Sequence, residues 1–515
     1  MREDKANFDL TKADVYYLND YNSNSWSFVG FFGRINYNFK DKYLIEVSGR
    51  YDGSSKFPAS QRWGFFPSVS IGYRLSEEKF MSCTDSWLDN AKIRLSAGSL
   101  GNGAVAPYAY TQNMSVGTSS IYIDGKQVPV TSAPSPIPNG LTWEKAATYD
   151  VGLDLDLLDN RLSFIGDWYL RKTTDMFTVG KTLPAVYGNS APKGNYADMS
   201  TKGWELSLGW RDSFMAGGKS FSYGIKGMVW DSRSFIDKYN NETKVLTDYY
   251  EGMELGEVWG MHVLGLFANN EDVATSADQS TFFTQNRRGN KFEPGDLKFE
   301  DANNDGFINY GKNTVDDPGD MKVIGNTNPR FSYGINLNAS WNGIGISLFF
   351  QGVGKRDWYP GINTGMFYGK YARPYSMIPV SQIGNQWTEE NPDPNAFWPK
   401  AASYLATDTK GTLSKVPNDR FLVDASYCRL KNITIEYNFP KKLLSKIHVE
   451  ALRLYLSGEN LFTFSPIKKW TTAFDPEVIK KGDSDLNGVY NANSKVDGTS
   501  YPMLKSFTFG LNITF

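Results

Sequence analysis

The chain has 515 residues, 15% of them aromatic and 21% charged, and its mean hydropathy is −0.44. Its 54 Lys and Arg against 56 Asp and Glu leave a net charge of −2, so it has no basic surface for nucleic acid. Two Cys and two His exclude a disulfide scaffold and a thiolate zinc cluster. No apolar stretch reaches the ~20 residues of a membrane-spanning helix. A membrane β-barrel fits these values, because its strands alternate apolar with polar residues.

Segments with a period of two recur along the chain. In 43–52, for example, Tyr43, Ile45, Val47 and Tyr51 share one face, and the other face is mostly polar. The predicted strands are 27–39, 43–52, 65–75, 91–98, 147–157, 161–171, 203–211, 221–231, 331–341, 344–354, 427–439, 451–459 and 505–515. Their length of about ten residues matches a tilted crossing of a bilayer, whereas soluble strands are usually about five or six residues long.

The predicted connections between strands are of two kinds. Short connections lie at 39–43, 157–161, 341–344 and 439–449, and long ones at 101–145, 172–202, 232–330, 355–425 and 460–505. Outer-membrane barrels have this asymmetry, with tight periplasmic turns and extended external loops. If the last strand ends at the periplasm, the long connections are extracellular. The segment 1–26 then belongs to an extracellular loop, and its acidic, polar start does not have the pattern of a signal peptide.

The sequence therefore predicts an all-β, antiparallel transmembrane barrel over residues 27–515. Bacterial single-chain barrels have an even number of strands, and an open barrel leaves unpaired backbone groups in lipid. An odd count of about 13 strands indicates that the barrel is incomplete in this chain. We expect the missing strands upstream or on another chain. The alternatives are a passive porin-like barrel and a soluble all-β protein that binds or hydrolyses carbohydrate.

A series of short motifs adds information about family. The motifs are RYDGSSK at 50–56, WGFFPSVSIGYR at 63–74, LTWEK at 141–145, DVGLD at 150–154, NRL at 160–162, Asn195, KGWEL at 202–206, PGDLK at 294–298, DANNDG at 301–306, GENL at 458–461, DPE at 475–477 and YP at 501–502. Together and in this order, they resemble the SusC/RagA family of TonB-dependent outer-membrane transporters of Bacteroidetes. The resemblance covers essentially all of the chain after about residue 25.

The resemblance implies the C-terminal barrel part of such a transporter, about 13–14 strands of a larger barrel of roughly 22, without its plug domain or TonB box. It implies a multi-pass barrel in the cell outer membrane, surrounded by lipid, that imports a glycan or peptide fragment. TonB, acting through the missing N-terminal region, would supply the energy, and a SusD-like surface lipoprotein would cap the mouth. No reaction on the substrate is implied, and we assign no catalytic residues.

The last predicted strand has the cleanest alternation in the chain. Its apolar face consists of Phe507, Phe509, Leu511, Ile513 and Phe515. We predict that this face, with its terminal Phe, is the signal by which the barrel-assembly machinery recognises the protein. The simpler alternative is a strand that only faces lipid, and both roles are compatible.

One polar segment has the spacing of a calcium loop. Its candidate ligands are Asp301, Asn303, Asp305 and Asn309. Alternate oxygen ligands converge on a hard cation in such loops, and Gly306 stands where a sharp turn is needed. However, position twelve is Lys312, where an EF-hand has a bidentate Glu; carboxylates at 316, 317 and 320 are substitutes. Calcium is therefore a possible cofactor, and the alternative is an Asx-rich turn that orders a large loop.

The long loops also contain many aromatic residues. Flat rings can stack on sugar faces or peptide side chains, so these residues are candidates for contacts with substrate or partner. The alternatives are that they fill loop cores or belong to an aromatic girdle. The selected candidates are Trp143, Trp259, Trp358, Tyr359, Tyr368, Trp387 and Trp398.

Overall fold

The computed structural model describes residues 25–515 except 113, 115, 132–133, 135, 139, 182, 185, 187, 189, 283–291, 361–364, 372–376, 402–416 and 480–500. The predicted loop segment 1–26 therefore lies almost wholly outside the described residues. The helices are short: α-helices Asn270–Thr275, Gly365–Tyr368 and Lys441–Leu444, and 3₁₀ helices Ala59–Gln61, Leu75–Glu77, Lys79–Thr84, Ser280–Phe282, Gly369–Tyr371, Val380–Gln382, Asp419–Phe421, Ser445–Ile447 and Pro466–Lys469. Within the described ranges, none of the helices has the length and apolar character needed to span a membrane.

Among the described residues, thirteen strands form a single antiparallel sheet in which each strand pairs with the next along the sheet. They are β1 (Phe28–Phe39), β2 (Tyr43–Ser54), β3 (Trp63–Arg74), β4 (Leu88–Asn102), β5 (Glu144–Leu157), β6 (Leu162–Val179), β7 (Lys193–Ala216), β8 (Lys219–Lys238), β9 (Arg330–Trp341), β10 (Ile344–Lys355), β11 (Tyr427–Asn438), β12 (Ala451–Phe464) and β13 (Ser506–Thr514). Each of the predicted strands corresponds to one of them. In the described part of the chain, β1 and β13 have one neighbour each. The predicted antiparallel, incomplete barrel is confirmed.

The register of the sheet gathers apolar side chains into rows on one face. Ile45 of β2 lies opposite Tyr37 of β1 and Ile71 of β3, and the row continues through Leu95 and Val151. All five side chains are exposed, as expected of a surface that contacts lipid. A slip by one residue would turn every row towards the lumen, so the alternation of the sequence specifies the register.

The connections at the two ends of the sheet differ in length as predicted, mostly short at one end and mostly long at the other, with exceptions. At one end, Asn342 and Gly343 join β9 to β10, and their φ values of 48° and 87° fit a tight hairpin turn of the type that favours Asn-Gly. The same end also carries the longer connection 75–87, whereas the connection 55–62 at the loop end is short. The segment 172–202, predicted as a loop, is largely strand.

The extension of β6 and β7 has a clear physical basis. Thr178 still pairs with Gly194, although the register shifts near Met176. Beyond the bilayer both faces of a hairpin can be polar, so the ladder continues where the apolar alternation has stopped. The described parts of the loops contain four further strand pairs: Val116–Ile123 with Lys126–Thr131, Glu257–Gly260 with Lys322–Asn326, Val263–Leu266 with Leu297–Phe299, and Asp357–Trp358 with Val423–Asp424.

The buried apolar core lies mainly in the external loops. A large cluster joins the loops 239–329, 356–426 and 465–479, and a smaller one joins the connections 55–62 and 103–143. The largest fully buried side chains are Trp398, Tyr368, Phe57, Phe267, Phe367, Phe421, Leu141, Leu246, Met253, Met261, Leu297 and Ile308. The external loops thus fold into packed structure of their own at one end of the sheet.

Candidate functional site

The face of the sheet opposite the lipid rows carries charged and polar side chains. Arg94 of β4 forms ion pairs of 2.8 Å with Asp154 of β5 and with Asp167 of β6. A recess of about 390 Å³ lies beside this group. Its polar lining includes Asn36, Glu46, Ser70, Lys92, Arg94 and Asp150. A wall of this composition can exchange hydrogen bonds with water and with hydrophilic solutes.

A second ionic group ties the loop 239–329 to the strands from which it starts and to which it returns. Asp231 of β8 accepts two hydrogen bonds of 2.5 Å from Arg330, the first residue of β9. Glu254, inside the loop, accepts a hydrogen bond of 2.9 Å from Arg233. The side chain of Asp231 is only 5% exposed, so this bidentate pair is well shielded from water. The base of the loop is therefore fixed to the strand ends.

The DPE motif at 475–477 entered the sequence analysis only as part of the family resemblance. In the structure it forms a buried ionic cluster with side chains of β11. Arg429 donates to Glu477 at 2.6 Å and also pairs with Asp475, while Lys431 donates to Glu477 at 2.8 Å. The Arg429 side chain is 3% exposed and that of Asp475 is 7% exposed. These contacts join residues more than forty positions apart, which sequence spacing alone did not indicate.

A second arginine reinforces the same segment. Arg356, directly after β10, donates to the carbonyl oxygen of Pro476 at 2.9 Å and to that of Ile479 at 2.5 Å. Asp475 also accepts a hydrogen bond of 3.0 Å from the amide of Met503, three residues before β13 begins. The side chains of Arg356, Arg429 and Lys431 and the backbone amide of Met503 therefore converge on the backbone and carboxylates of 475–479.

The aromatic candidates for substrate contact are mostly buried. Six of them are at most 7% exposed: Trp143, Trp358, Tyr359, Tyr368, Trp387 and Trp398. Trp259 is partly buried and donates to Glu257 at 2.9 Å. The structure shows that these rings pack within the loops, which is one of the alternatives considered for them. A ring that protein covers on both faces has no free face on which a sugar can stack. A contact with substrate stays a prediction.

Trp143 illustrates how such a ring is held. Its ring centroid lies 4.9 Å from that of Phe57 and 5.6 Å from that of Phe66. Its indole N–H donates to the carbonyl oxygen of Arg62 at 3.0 Å. The residue thereby joins the loop 103–143 to the neighbouring connection 55–62, which is a structural role.

A cavity of about 490 Å³ opens between the loops 356–426 and 465–479. One side contains the stacked rings of Phe397 and Trp470, whose centroids are 3.7 Å apart. The polar lining consists of Asn385, Gln386, Asn391, Asp393, Asn395, Arg420 and Lys469. Amide side chains both donate and accept hydrogen bonds, so this cavity suits hydroxyl-rich or peptide ligands better than apolar ones.

The predicted calcium segment forms Asx turns. Asp301 accepts backbone hydrogen bonds from Asp305 at 3.2 Å and from Gly306 at 2.8 Å, and Asn303 accepts one from Asp305 at 3.0 Å. Asp320 accepts hydrogen bonds from the amides of Ala302 and Asn309, both at 2.8 Å, and burial raises the pKa of Asp320. These oxygen atoms thus face amide donors, which fits the turn interpretation better than a cation cage.

Over the described ranges, no group of three or more His, Cys, Asp or Glu side chains is arranged to hold a metal ion. Calcium at Asp301, Asn303, Asp305 and Asn309 therefore stays a prediction. The C-terminal assembly signal is likewise untested. Its apolar face is strongly exposed: Phe507 and Phe509 of β13 are 72% and 73% exposed, and Phe515, directly after β13, is 86% exposed.

Comparison with known proteins decides the family. The family model for the TonB-dependent receptor-like β-barrel matches residues 2–461. The chain belongs to this family. Its curated relatives include TonB-dependent receptor P3 of Formosa agariphila, 28% identical over 510 residues, covering 96% of this chain and 46% of the relative. Another is the TonB-dependent receptor SusC of Bacteroides thetaiotaomicron, 26% identical over 504 residues and covering 95% and 44%. The predicted SusC/RagA resemblance is confirmed.

Solved structures support the same fold. The RagAB peptide transporter matches with a TM-score of 0.66 at 20% identity, covering 95% of this chain and 48% of that one. The RagAB peptide importer in its open-open state gives 0.68 at 21% identity, covering 95% and 47%. The chain therefore spans less than half the length of these relatives. Together with the exposed apolar rows of the sheet, family membership places the chain in the outer membrane.

Proposed function

We propose that the chain forms the C-terminal part of the barrel of a TonB-dependent importer, which takes up glycan or peptide fragments together with a SusD-like surface lipoprotein. The main support is the combination of one lipid-facing apolar surface, one charged lumen face and a packed set of external loops. A match described as the RagAB peptide transporter supports the peptide class, and the glycan class rests on the resemblance to the SusC/RagA family. No chemical change of the substrate is part of the proposal.

The unpaired edges of the sheet support a barrel completed by further strands. Unpaired N–H and C=O groups are costly in lipid, so β1 and β13 need partners there. The relatives are about twice as long as this chain, and we infer that the corresponding additional segment supplies the closing strands and the plug.

Substrate uptake with and without TonB tests the proposal. In a bacterium that encodes the protein, we expect deletion of its gene to abolish growth on one class of glycan or peptide supplied as sole nutrient. Deletion of TonB should produce the same defect, and the gene restored on a plasmid should reverse the first one. Growth that depends on the gene but not on TonB would instead identify a passive porin-like barrel.

Co-purification tests the lipoprotein partner. A tag on an exposed periplasmic turn leaves the external loops free. We expect a surface lipoprotein encoded beside the gene to co-purify in mild detergent and to be lost when the hairpin formed by Val116–Ile123 and Lys126–Thr131 and its flanking loop are replaced. Recovery of the transporter alone from both samples would contradict a stable complex.

A further inference from the structure

Aromatic rings form a row at the periplasmic end of the first three strands. The ring centroids of Tyr37 and Phe39 are 6.4 Å apart, those of Phe39 and Tyr43 are 6.4 Å apart, and those of Tyr43 and Tyr73 are 5.3 Å apart. All four residues lie on the apolar face of the sheet. Rings at this position of a barrel mark the boundary between the hydrocarbon layer and the headgroups.

The connection 75–87 is attached to this row. The hydroxyl group of Tyr43 donates to Glu78 at 2.9 Å, and Lys42 donates to the other carboxylate oxygen at 3.3 Å. The hydrogen bond from Tyr43 also lowers the pKa of Glu78, which keeps this carboxylate charged beside Lys42. Because Tyr43 faces lipid, these contacts bring the start of the connection to the lipid side of the wall.

Two large apolar side chains of the connection are exposed. Phe80 is 66% exposed and Trp87 is 47% exposed, and neither ring stacks on another ring within the described residues. Polar residues such as Lys79 and Asp85 stand beside them. Large exposed rings among polar neighbours are typical of segments that lie in a membrane interface.

We propose that the connection 75–87 is an interfacial anchor, with Phe80 and Trp87 inserted among the phospholipid headgroups of the periplasmic leaflet. The anchor continues the row of Tyr37, Phe39, Tyr43 and Tyr73 beyond the strands. The partner of Phe80 and Trp87 is therefore lipid, because Glu78 joins the connection to the lipid-facing surface of the sheet. This inference needs only the barrel in its membrane and does not depend on the substrate.

Cys83, which is exposed in the same connection, allows a direct measurement of depth. A nitroxide is attached to Cys83 in the full-length protein, with Cys428 and any other cysteine replaced by Ser, in vesicles of phosphatidylethanolamine and phosphatidylglycerol. The ratio of relaxation by oxygen to relaxation by a water-soluble nickel complex reports depth. Val47→Cys on the lipid face and Ser120→Cys on the exposed loop hairpin, each with Cys83 also replaced by Ser, provide the membrane and water references.

If the connection is an interfacial anchor, the ratio of oxygen to nickel relaxation at Cys83 should be severalfold above that of the Ser120→Cys reference and below that of the Val47→Cys reference. Replacing both Phe80 and Trp87 by Ser should lower it towards the water reference, whereas the control Lys79→Ser should not. A ratio at Cys83 equal to that of Ser120→Cys would overturn the proposal, even if the double variant fails to assemble. Shielding of the label from both reagents would indicate a protein contact and would overturn it as well.

Discussion

The buried ion cluster of β11 leads to a specific prediction about the last external loop. Arg429→Met removes the cation and keeps an unbranched side chain of similar length. Asp475 and Glu477 then lose a charge-assisted partner while the surrounding protein still excludes water. We expect the segment 465–479 to open far more often, since solvent can then replace the hydrogen bonds that Arg429 donated to Asp475 and Glu477.

The expected effect is large because solvent screens the pair poorly. The side chains of Arg429 and Asp475 are 3% and 7% exposed, and Glu477 accepts from Arg429 at 2.6 Å. Removal of one partner from a buried ion pair costs about 3–5 kcal/mol. Since about 1.4 kcal/mol corresponds to a factor of ten, the opening equilibrium should increase at least ~100-fold.

Hydrogen exchange of the full-length protein in detergent can measure this opening at the amides of 465–479. Arg453→Met is the matched control, because the Arg453 side chain that pairs with Glu436 is 41% exposed and a screened pair contributes at most about 1 kcal/mol. Replacing Asp475 by Asn and Glu477 by Gln in the Arg429→Met background should restore part of the protection. Unchanged exchange in Arg429→Met would refute the assigned role of the cluster.

Three further predictions concern assembly, a turn and the polar loop. Deletion of Phe515 should lower the amount of intact protein in the outer membrane, and unchanged surface levels would rule out a role in recognition. Gly343→Val should impair heat-modifiable folding, because φ is 87° there and a Cβ atom would lie 2.5 Å from the Asn438 carbonyl oxygen, whereas Gly33→Ala has free space and serves as control. Left-handed backbone costs an L-residue about 1–2 kcal/mol, and normal migration of the Gly343 variant would contradict this strain. Proteolysis of the loop 239–329 tests the predicted calcium site: an Asx-rich turn, in which Asp301 already accepts amide hydrogen bonds, should be cleaved equally in calcium and in chelator, whereas a calcium loop should be cleaved more slowly in calcium.

The sequence predicted the sheet well because its strands lie between two different media. In β2 the contrast between Ile45 or Val47 and Glu46 or Ser48 must recur at every second residue, and this local pattern is sufficient to place the strand. The boundaries of β6 and β7 could not be predicted in the same way. Their outer parts have water on both sides, so no local contrast marks where the ladder ends.

The loops were less predictable because their order depends on distant partners. Trp143 contacts the Arg62 carbonyl oxygen across 81 positions, and Arg429 contacts Glu477 across 48. An exposed aromatic residue and a buried one have the same local sequence signature. The resemblance marked the DPE motif at 475–477, but only the structure shows that its carboxylates face Arg429.

The distribution of buried side chains indicates how the two parts of the molecule depend on their surroundings. The strands present apolar residues such as Ile45 and Ile71 to lipid, so their stability depends on the bilayer and on the backbone ladder. The loops bury residues such as Trp398 and Phe421 against one another, so their core does not need lipid contact. Ionic groups at Asp231 and Arg429 then connect this core to the strand ends. The shape of the loop cavity beside Trp470 is therefore set by protein packing, while the position of the loops that line it is set by the strand ends to which they are joined.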